Sequence, residues 1–411
     1  MTIQIDRLSS EIDELATFSE HPAPAVTRVL FSPEDLRARR WLDEKCRAAG
    51  LQTRFDAVGN FFARRAGADP TLPPMATGSH TDAIPNAGKF DGVVGVLGGL
   101  EALRALDEAG VRLRHSVELI MFTAEEPTRF GIGCLGSRLM ASSLSPAAVG
   151  ELRDPQGRSL ADLRSEAALT GSLDDVALPH GCYSAFVELH IEQGPILERD
   201  GFDIGVVEKI AAPAALRVRL IGEGGHAGAL LMPDRHDAGL GAAEAALALE
   251  KIVLASGSPD GVGTTGVVRL LPGAINSVPC EALLEMDIRD TQLATRDAVL
   301  RGLSEAIDEI ATRRGLQAHI EIISADPPAT CDPVLVKTVE TVAQNAGLRT
   351  TRMVSRAYHD SLFMARLAPM TMIFIPCRNG FSHRPDEYSS PAQIERGVCV
   401  LAETFRARDA F

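Results

Sequence analysis

Apolar runs alternate with helix-patterned segments along this chain, and that order breaks once and then resumes. The segment PPMATGSHTDAIP ends a buried strand in a loop, and GVVGVLGGLEALRALDEAG then has the small-residue and leucine pattern of a long buried helix that stops at a glycine. SVELIMFTAEEP follows, an apolar run ending in acids, which predicts a central strand whose carboxyl end carries chemistry. Strand, helix, strand in that order implies an α/β domain built on a mixed, mainly parallel sheet with helices on both faces. Functional groups belong at the C-terminal strand ends of such sheets. Upstream, residues 10–50 read as helical, with Trp41, Leu42 and Cys46 on one face, before short β-rich pieces in LQTRFDAV and NFFARR.

Near Lys209 the pattern changes. AALRVRLIGEGGHAG, DAGLGAAEAALALEKIVLAS, TTGVVRLLP, CEALLEMDIRD and TRDAVLRGLSEAIDEIATRRG give the order β-α-β-β-α, that of a small α+β sandwich with helices on one face of an antiparallel sheet. The first pattern returns after SADPPATCDP, with a helix in VLVKTVETVAQNAG and a buried strand in APMTMIFIP. A chain of 411 residues exceeds what one core fills. Residues 1–209 and 328–411 are therefore expected to form one domain, with 210–327 inserted as a second.

Bulk properties exclude several partners. A formal charge of −14 repels phosphates and argues against nucleic acid or an anionic membrane. No run of about 18–20 apolar residues is long enough to span a bilayer. The N-terminus MTIQIDRLSSEIDELATFSE lacks the basic flank and apolar core of a secretory signal, so a cytoplasmic location is expected. Seven cysteines without CxxC spacing fit reduced thiols, and Cys134 and Cys377 read as small buried hydrophobes.

Four short segments carry the chemistry. In GSHTDAIPNAGKFDG, His80, Asp82 and Asp91 occupy a loop after a strand; imidazole and carboxylate suit zinc, manganese, cobalt or nickel, and a carboxylate can bridge two ions. Asp82 is placed to take the other N–H of His80 and fix its tautomer. In FTAEEPTRF, the adjacent Glu125 and Glu126 resist burial unless a cation or solvent satisfies them. We assign Glu126 to a metal and Glu125 to a bound water as general base. FVELHIEQGPILE adds His190, flanked by Glu188, Glu192 and Gln193; a lone histidine in such a strand is usually packed core. RNGFSHRPDEYSS adds His383, which by itself says nothing.

Taken together, the ordered set resembles the dinuclear M20 metallopeptidase-like amidohydrolases. Within them it is similar to the branch of N-carbamoyl-amino-acid hydrolases, allantoate amidohydrolases and ureidoglycolate amidohydrolases. The resemblance runs from about Leu15 to Thr404 through GSHTDAIPNAGKFDGVVGVLGGLEAL, FTAEEPTRFGIGCLGSR, ELHIEQGPILE, GGHAGALLMPDRHDA and IPCRNGFSHRPDEYSS. It implies two divalent ions per subunit, manganese or zinc, with cobalt and nickel as further candidates. His80 and His190 would hold one ion and Glu126 and His383 the other, with Asp91 between them and Glu125 as base. In the insert, His226 would stabilise an oxyanion, with His236 left on the surface. Asn276 in GAINSVP and Arg289 in MDIRD would bind a substrate carboxylate, and Gln193 a ureido group. The resemblance further implies a homodimer through the insert acting as a lid, with hinges near Lys209 and Pro327.

Substrate choice rests on Tyr358-His359-Asp360-Ser361, where carbamoylases and allantoate hydrolases usually carry Gly-His-Asp-Ala. The sequence here resembles ureidoglycolate amidohydrolases, with His359 contacting substrate or orienting a ligand. The expected substrate is a small ureido-carboxylate, ureidoglycolate first, then N-carbamoyl-L-amino acids or allantoate. A metal-free binding relative would have lost Glu125 or a ligand, and none is lost.

Overall fold

Four parallel strands, Met370–Ile375, Ala185–Ile191, Met75–His80 and Val117–Phe122 in spatial order, form the centre of a nine-stranded mixed sheet. Every residue of these four is buried, as expected of strands covered on both faces. Antiparallel strands flank them: Ile204–Ile210 beside Met370–Ile375, and Phe61–Arg65 then Gln52–Phe55 beyond Val117–Phe122. This is a computed structural model, and it describes residues 1–410.

Helix Val93–Glu108 lies directly on the sheet because its glycines leave room for it. A Cβ at Gly95 would sit 2.4 Å from the carbonyl oxygen of Leu189 and 2.6 Å from Cβ of Ser79. Helix Pro391–Arg408 packs beside it and onto Met370–Ile375.

The N-terminal region differs from expectation. Residues 10–50 are not one helix but two, Ile5–Ala16 and Pro33–Ala48, separated by the short strand Val26–Arg28. Pro22 and Pro24 cannot continue a helix, whereas Pro33 starts one, after the Ser32 hydroxyl has capped the Asp35 N–H. The expected metal loop likewise contains a strand, Ala83–Ala87, antiparallel to Val26–Arg28.

The chain divides into two compact units. One comprises Met1–Glu208, Thr330–Met353 and the residues from His359 onward; the other comprises Lys209–Ala329 with Val354–Tyr358, a short return that no sequence pattern marks. The second unit is a four-stranded antiparallel sheet in the order Val262–Leu271, Glu281–Asp290, Ala212–Ile221, Gln317–Ala325. Alternate residues Leu216, Val218, Leu220, Leu284, Met286 and Ile288 form a core with Ala242, Ala245 and Leu249 of one helix and Leu303, Ile307 and Ile310 of the other. Between them, Arg217 pairs with Glu285 and Glu321, and Arg219 with Glu281. One face is dry and the other carries ion pairs, the period-two pattern of a half-covered sheet. Among the described residues no helix is long and apolar enough to cross a membrane.

Candidate functional site

The C-terminal ends of the parallel strands bring six predicted residues together. His80 ends one strand, Glu125 and Glu126 follow the next, and His190 lies one residue before the end of a third. His80, Asp91 and His190 offer ligand atoms within 4.8 Å of one another, as do Asp91, Glu126 and His383. Asp91 belongs to both groups. Its Oδ1 lies 3.2 Å from His190 Nε2 and 3.8 Å from His80 Nε2, while its Oδ2 lies 3.2 Å from His383 Nε2. His383 Nε2 is also 3.2 Å from Glu126 Oε1.

Hydrogen bonding sets the tautomers. Nδ1 of His190 faces the Ile191 carbonyl oxygen at 2.8 Å, and Nδ1 of His80 faces that of Asp82 at 3.0 Å. Each neutral ring therefore carries its proton on Nδ1 and turns the Nε2 lone pair towards Asp91. Asp91 Oδ1 is buried and faces the imidazole nitrogens of His190 and His80. Lone pairs facing a carboxylate across 3–4 Å need a proton or a cation between them. Without a cation protons fill that role: although burial opposes charge, Asp91 raises His190 to about 9, and Asp91 with Glu126 raises His383 to about 10. Burial opposes charge on Asp91 too, but the hydrogen bonds of His190 and His383 prevail and hold it well below the usual carboxylate range. The donor set therefore fits divalent cations.

The expected partnership of Asp82 with His80 is corrected in detail. The imidazole uses the Asp82 main-chain carbonyl, and the carboxylate stands 3.8 Å away. That carboxylate instead accepts the main-chain N–H groups of Glu125 at 3.3 Å and Glu126 at 3.0 Å, because the acidic turn presents two donors side by side. Burial pushes Asp82 up to about 6.

Glu125 is buried, and its carboxyl lies well above its usual range through burial first and then through Glu126, Asp360, Asp91 and Asp82. Its Oε2 is 3.7 Å from His80 Nε2. The Cys134 thiol donates to its Oε1 at 3.7 Å, a polar contact beyond the small hydrophobe expected there.

Two supporting residues, Ser382 and Glu387, carried no readable signal. Ser382 donates to Asp91 Oδ2 at 2.8 Å and bonds Glu387 at 3.0 Å, while Glu387 accepts the main-chain N–H groups of Phe90 and Asp91. Gln193 donates to Asp91 at 2.8 Å, which leaves its Oε1 buried and unpaired. Ala124, Gln193 and His383 all adopt left-handed backbone, with φ of 52°, 54° and 58°. Such strain costs roughly 1–3 kcal/mol per residue and concentrates at functional sites.

His359 packs against His190 with the rings tilted at 59° and their centroids 4.5 Å apart, and forms a third donor group with Glu188 and His190. Glu188 there is already engaged: Ser79 donates to one oxygen at 2.7 Å, and the Ser361 hydroxyl and N–H to the other. The remaining predicted residues lie in the second unit. His226 and Asn276 neighbour each other where Gly225–His226 pairs with Ser277–Val278. The Gly228 N–H donates to Nδ1 of His226 at 3.1 Å, which puts the proton of a neutral ring on Nε2. Arg289 gives three of its N–H groups to Asp287 and the Arg356 carbonyl oxygen, and its guanidinium lies 5.7 Å from the Tyr358 ring centre. His236, expected at the surface, is half-buried against the Arg314 carbonyl.

Fold and donor set together define a protein of the α/β metallohydrolase class. Residues 76–407 match the Peptidase family M20/M25/M40. The chain belongs to that family. It is 51% identical over 411 residues to a ureidoglycolate hydrolase of Arabidopsis thaliana, covering 98% of this chain and 86% of the relative. It is 36% identical to an N-carbamoyl-L-amino-acid amidohydrolase of Pseudomonas sp. strain NS671, with 98% of each covered. A crystal structure of AtUAH in complex with (S)-hydroxyglycine superposes with a TM-score of 0.93 at 49% identity, covering 100% of this chain and 99% of that one.

Proposed function

We propose that this protein is a metal-dependent amidohydrolase that cleaves the ureido C–N bond of ureidoglycolate, releasing ammonia and carbon dioxide and leaving glyoxylate. The observation that carries the reading is Asp91, buried and shared between two donor groups, one oxygen facing His80 and His190 and the other His383. His80 and His190 would hold one ion, His383 and Glu126 the other, and Asp91 would bridge them; manganese and zinc both suit this N/O set. When bound, such cations lower the pKa of water and polarise a carbonyl.

The chain's own groups supply the rest. Glu125, buried yet outside both donor groups, takes the proton of the attacking water and returns it to the leaving nitrogen. Unpaired Gln193 Oε1 accepts from a ureido N–H. His226, with Nε2–H free of its local bond, donates to the developing oxyanion. Asn276 and Arg289 bind the carboxylate, and two Arg289 N–H groups remain for it beyond those given to Asp287 and Arg356. Ureido hydrolysis leaves a hydroxyglycine, a hemiaminal that loses ammonia to give glyoxylate. We assign His359 to substrate contact or ligand orientation, from its tilted ring contact with His190.

The second unit would act as lid and dimerisation domain. Leu240, Leu247 and Leu254, seven residues apart on one helix face, are exposed. So are Val268, Leu270 and Leu271 on the edge strand Val262–Leu271. An uncovered apolar stripe beside an unpaired strand edge is a surface for self-association. We place the enzyme in the cytoplasm, on seven cysteines that form no disulfide among the described residues.

Relatives named as carbamoylases favour a second reading, hydrolysis of N-carbamoyl-L-amino acids by the same machinery. Rates with ureidoglycolate, allantoate and N-carbamoyl-L-amino acids separate the two. A kcat/KM for an N-carbamoyl-amino acid well above that for ureidoglycolate rejects the first.

A further inference from the structure

Arg28 is among the largest fully buried side chains of the protein, and no carboxylate lies within ion-pairing distance among the described residues. It is satisfied by main chain alone. Nε donates to the Phe18 carbonyl oxygen at 2.9 Å, Nη2 to that of Leu15 at 2.5 Å and Nη1 to that of Thr81 at 2.6 Å. Asp35, Asp82 and Glu34 favour its charge only from a distance, and burial outweighs them; a buried cation without a direct ion pair is costly, so its place in the fold calls for a task.

Its contacts name one. Thr81 stands between His80 and Asp82, the turn whose main chain fixes the His80 ring and whose carboxylate holds the Glu125 and Glu126 N–H groups. The same short strand grips the far end of this loop, where the Thr27 hydroxyl accepts the Asn86 N–H at 2.9 Å and Val26–Arg28 pairs with Ala83–Ala87. The end of helix Ile5–Ala16, the Val26–Arg28 strand and the cation-binding turn thus meet at a single guanidinium.

We infer that Arg28 is a positioning residue, a three-way brace that presets the His80–Asp82 turn for cation binding. The inference rests on the proposed role of His80 as a ligand. Its sign is distinctive: by charge alone a guanidinium near the site weakens cation binding, so removing it should tighten binding. A brace gives the opposite result.

The test uses full-length protein stripped with chelator and titrated with Mn2+ in competition with a chelating dye. Arg28→Met and Arg28→Lys are both expected to bind Mn2+ at least about tenfold more weakly, the range found when groups behind metal ligands are lost. Lysine keeps the charge but cannot span three carbonyls. The visible absorption of bound Co2+ should change in both, with circular dichroism unaltered. Should either variant fail to fold, Thr27→Val, which removes only the Asn86 bond, is expected to weaken Mn2+ about two- to fivefold. Leu106→Ala, a core change at the far end of helix Val93–Glu108, controls for general destabilisation and should leave Mn2+ affinity unchanged. Equal or tighter Mn2+ binding by Arg28→Met, or an equal loss in Leu106→Ala, overturns the brace. Absence of Mn2+ binding in the unsubstituted protein instead overturns the metal reading itself.

Discussion

The Asp82 carboxylate accepts the Glu126 main-chain N–H at 3.0 Å, joining the loop after one parallel strand to the acidic turn after its neighbour. Both ends of that bond carry groups of the donor set, since His80 leans on the Asp82 carbonyl. Asp82→Ala should therefore lower Mn2+ affinity by roughly 10- to 100-fold and reduce kcat, although Asp82 lies outside both donor groups. Equilibrium dialysis checks it; unchanged affinity contradicts the arrangement.

Glu125→Gln keeps shape and removes basicity. Turnover should fall about 10²- to 10⁴-fold while Mn2+ content stays that of the parent. A variant that lost metal together with activity would make Glu125 a ligand rather than the base.

Acidity should stabilise the metal-free protein. Burial raises Asp82 to about 6 and Glu387 to about 7, and the neighbouring carboxylates raise His190 to about 9 and His383 to about 10. All four are elevated, so the folded chain holds more protons than the unfolded one across this window, and stability falls as pH rises. The histidine part is complete below their unfolded value and is lost through about 9 and 10; the carboxylate penalty appears as each ionises. The Tm of chelator-treated protein should drop between about pH 6 and about pH 9. Mn2+ should reverse the trend, since binding displaces the histidine protons and strengthens as they leave. A metal-free Tm that rises over the same range refutes this balance.

Ser361 donates both its hydroxyl and its N–H to Glu188, which fixes the turn that packs His359 against His190. Ser361→Ala removes one donor from a buried carboxylate, worth about 1–3 kcal/mol. The expected result is a five- to tenfold loss of kcat/KM for ureidoglycolate with a smaller loss for N-carbamoyl-amino acids. Equal losses for both would deny Ser361 a part in selectivity.

The donor residues were legible because they lie at or after the ends of apolar strands, and a parallel sheet gathers its strand ends. The small residues of GVVGVLGGLEAL announced a helix pressed on the sheet, and Gly95 shows why. Legibility failed where partners are remote and lack periodicity. Glu387 bonds the main chain of Phe90, and Arg28 reaches Thr81; neither pairing leaves a local mark. The helical reading of residues 10–50 missed the strand Val26–Arg28 for the same reason, since its partner Ala83–Ala87 is remote in sequence.

Gly92 adopts φ of 65°, and a Cβ there would fall 2.4 Å from His80 Nε2. One added methyl group would thus evict an imidazole from its place while every donor atom stayed in the sequence. Inventories of ligand residues would pass such a chain as competent, so sorting active from silent relatives requires scoring this glycine beside the histidines.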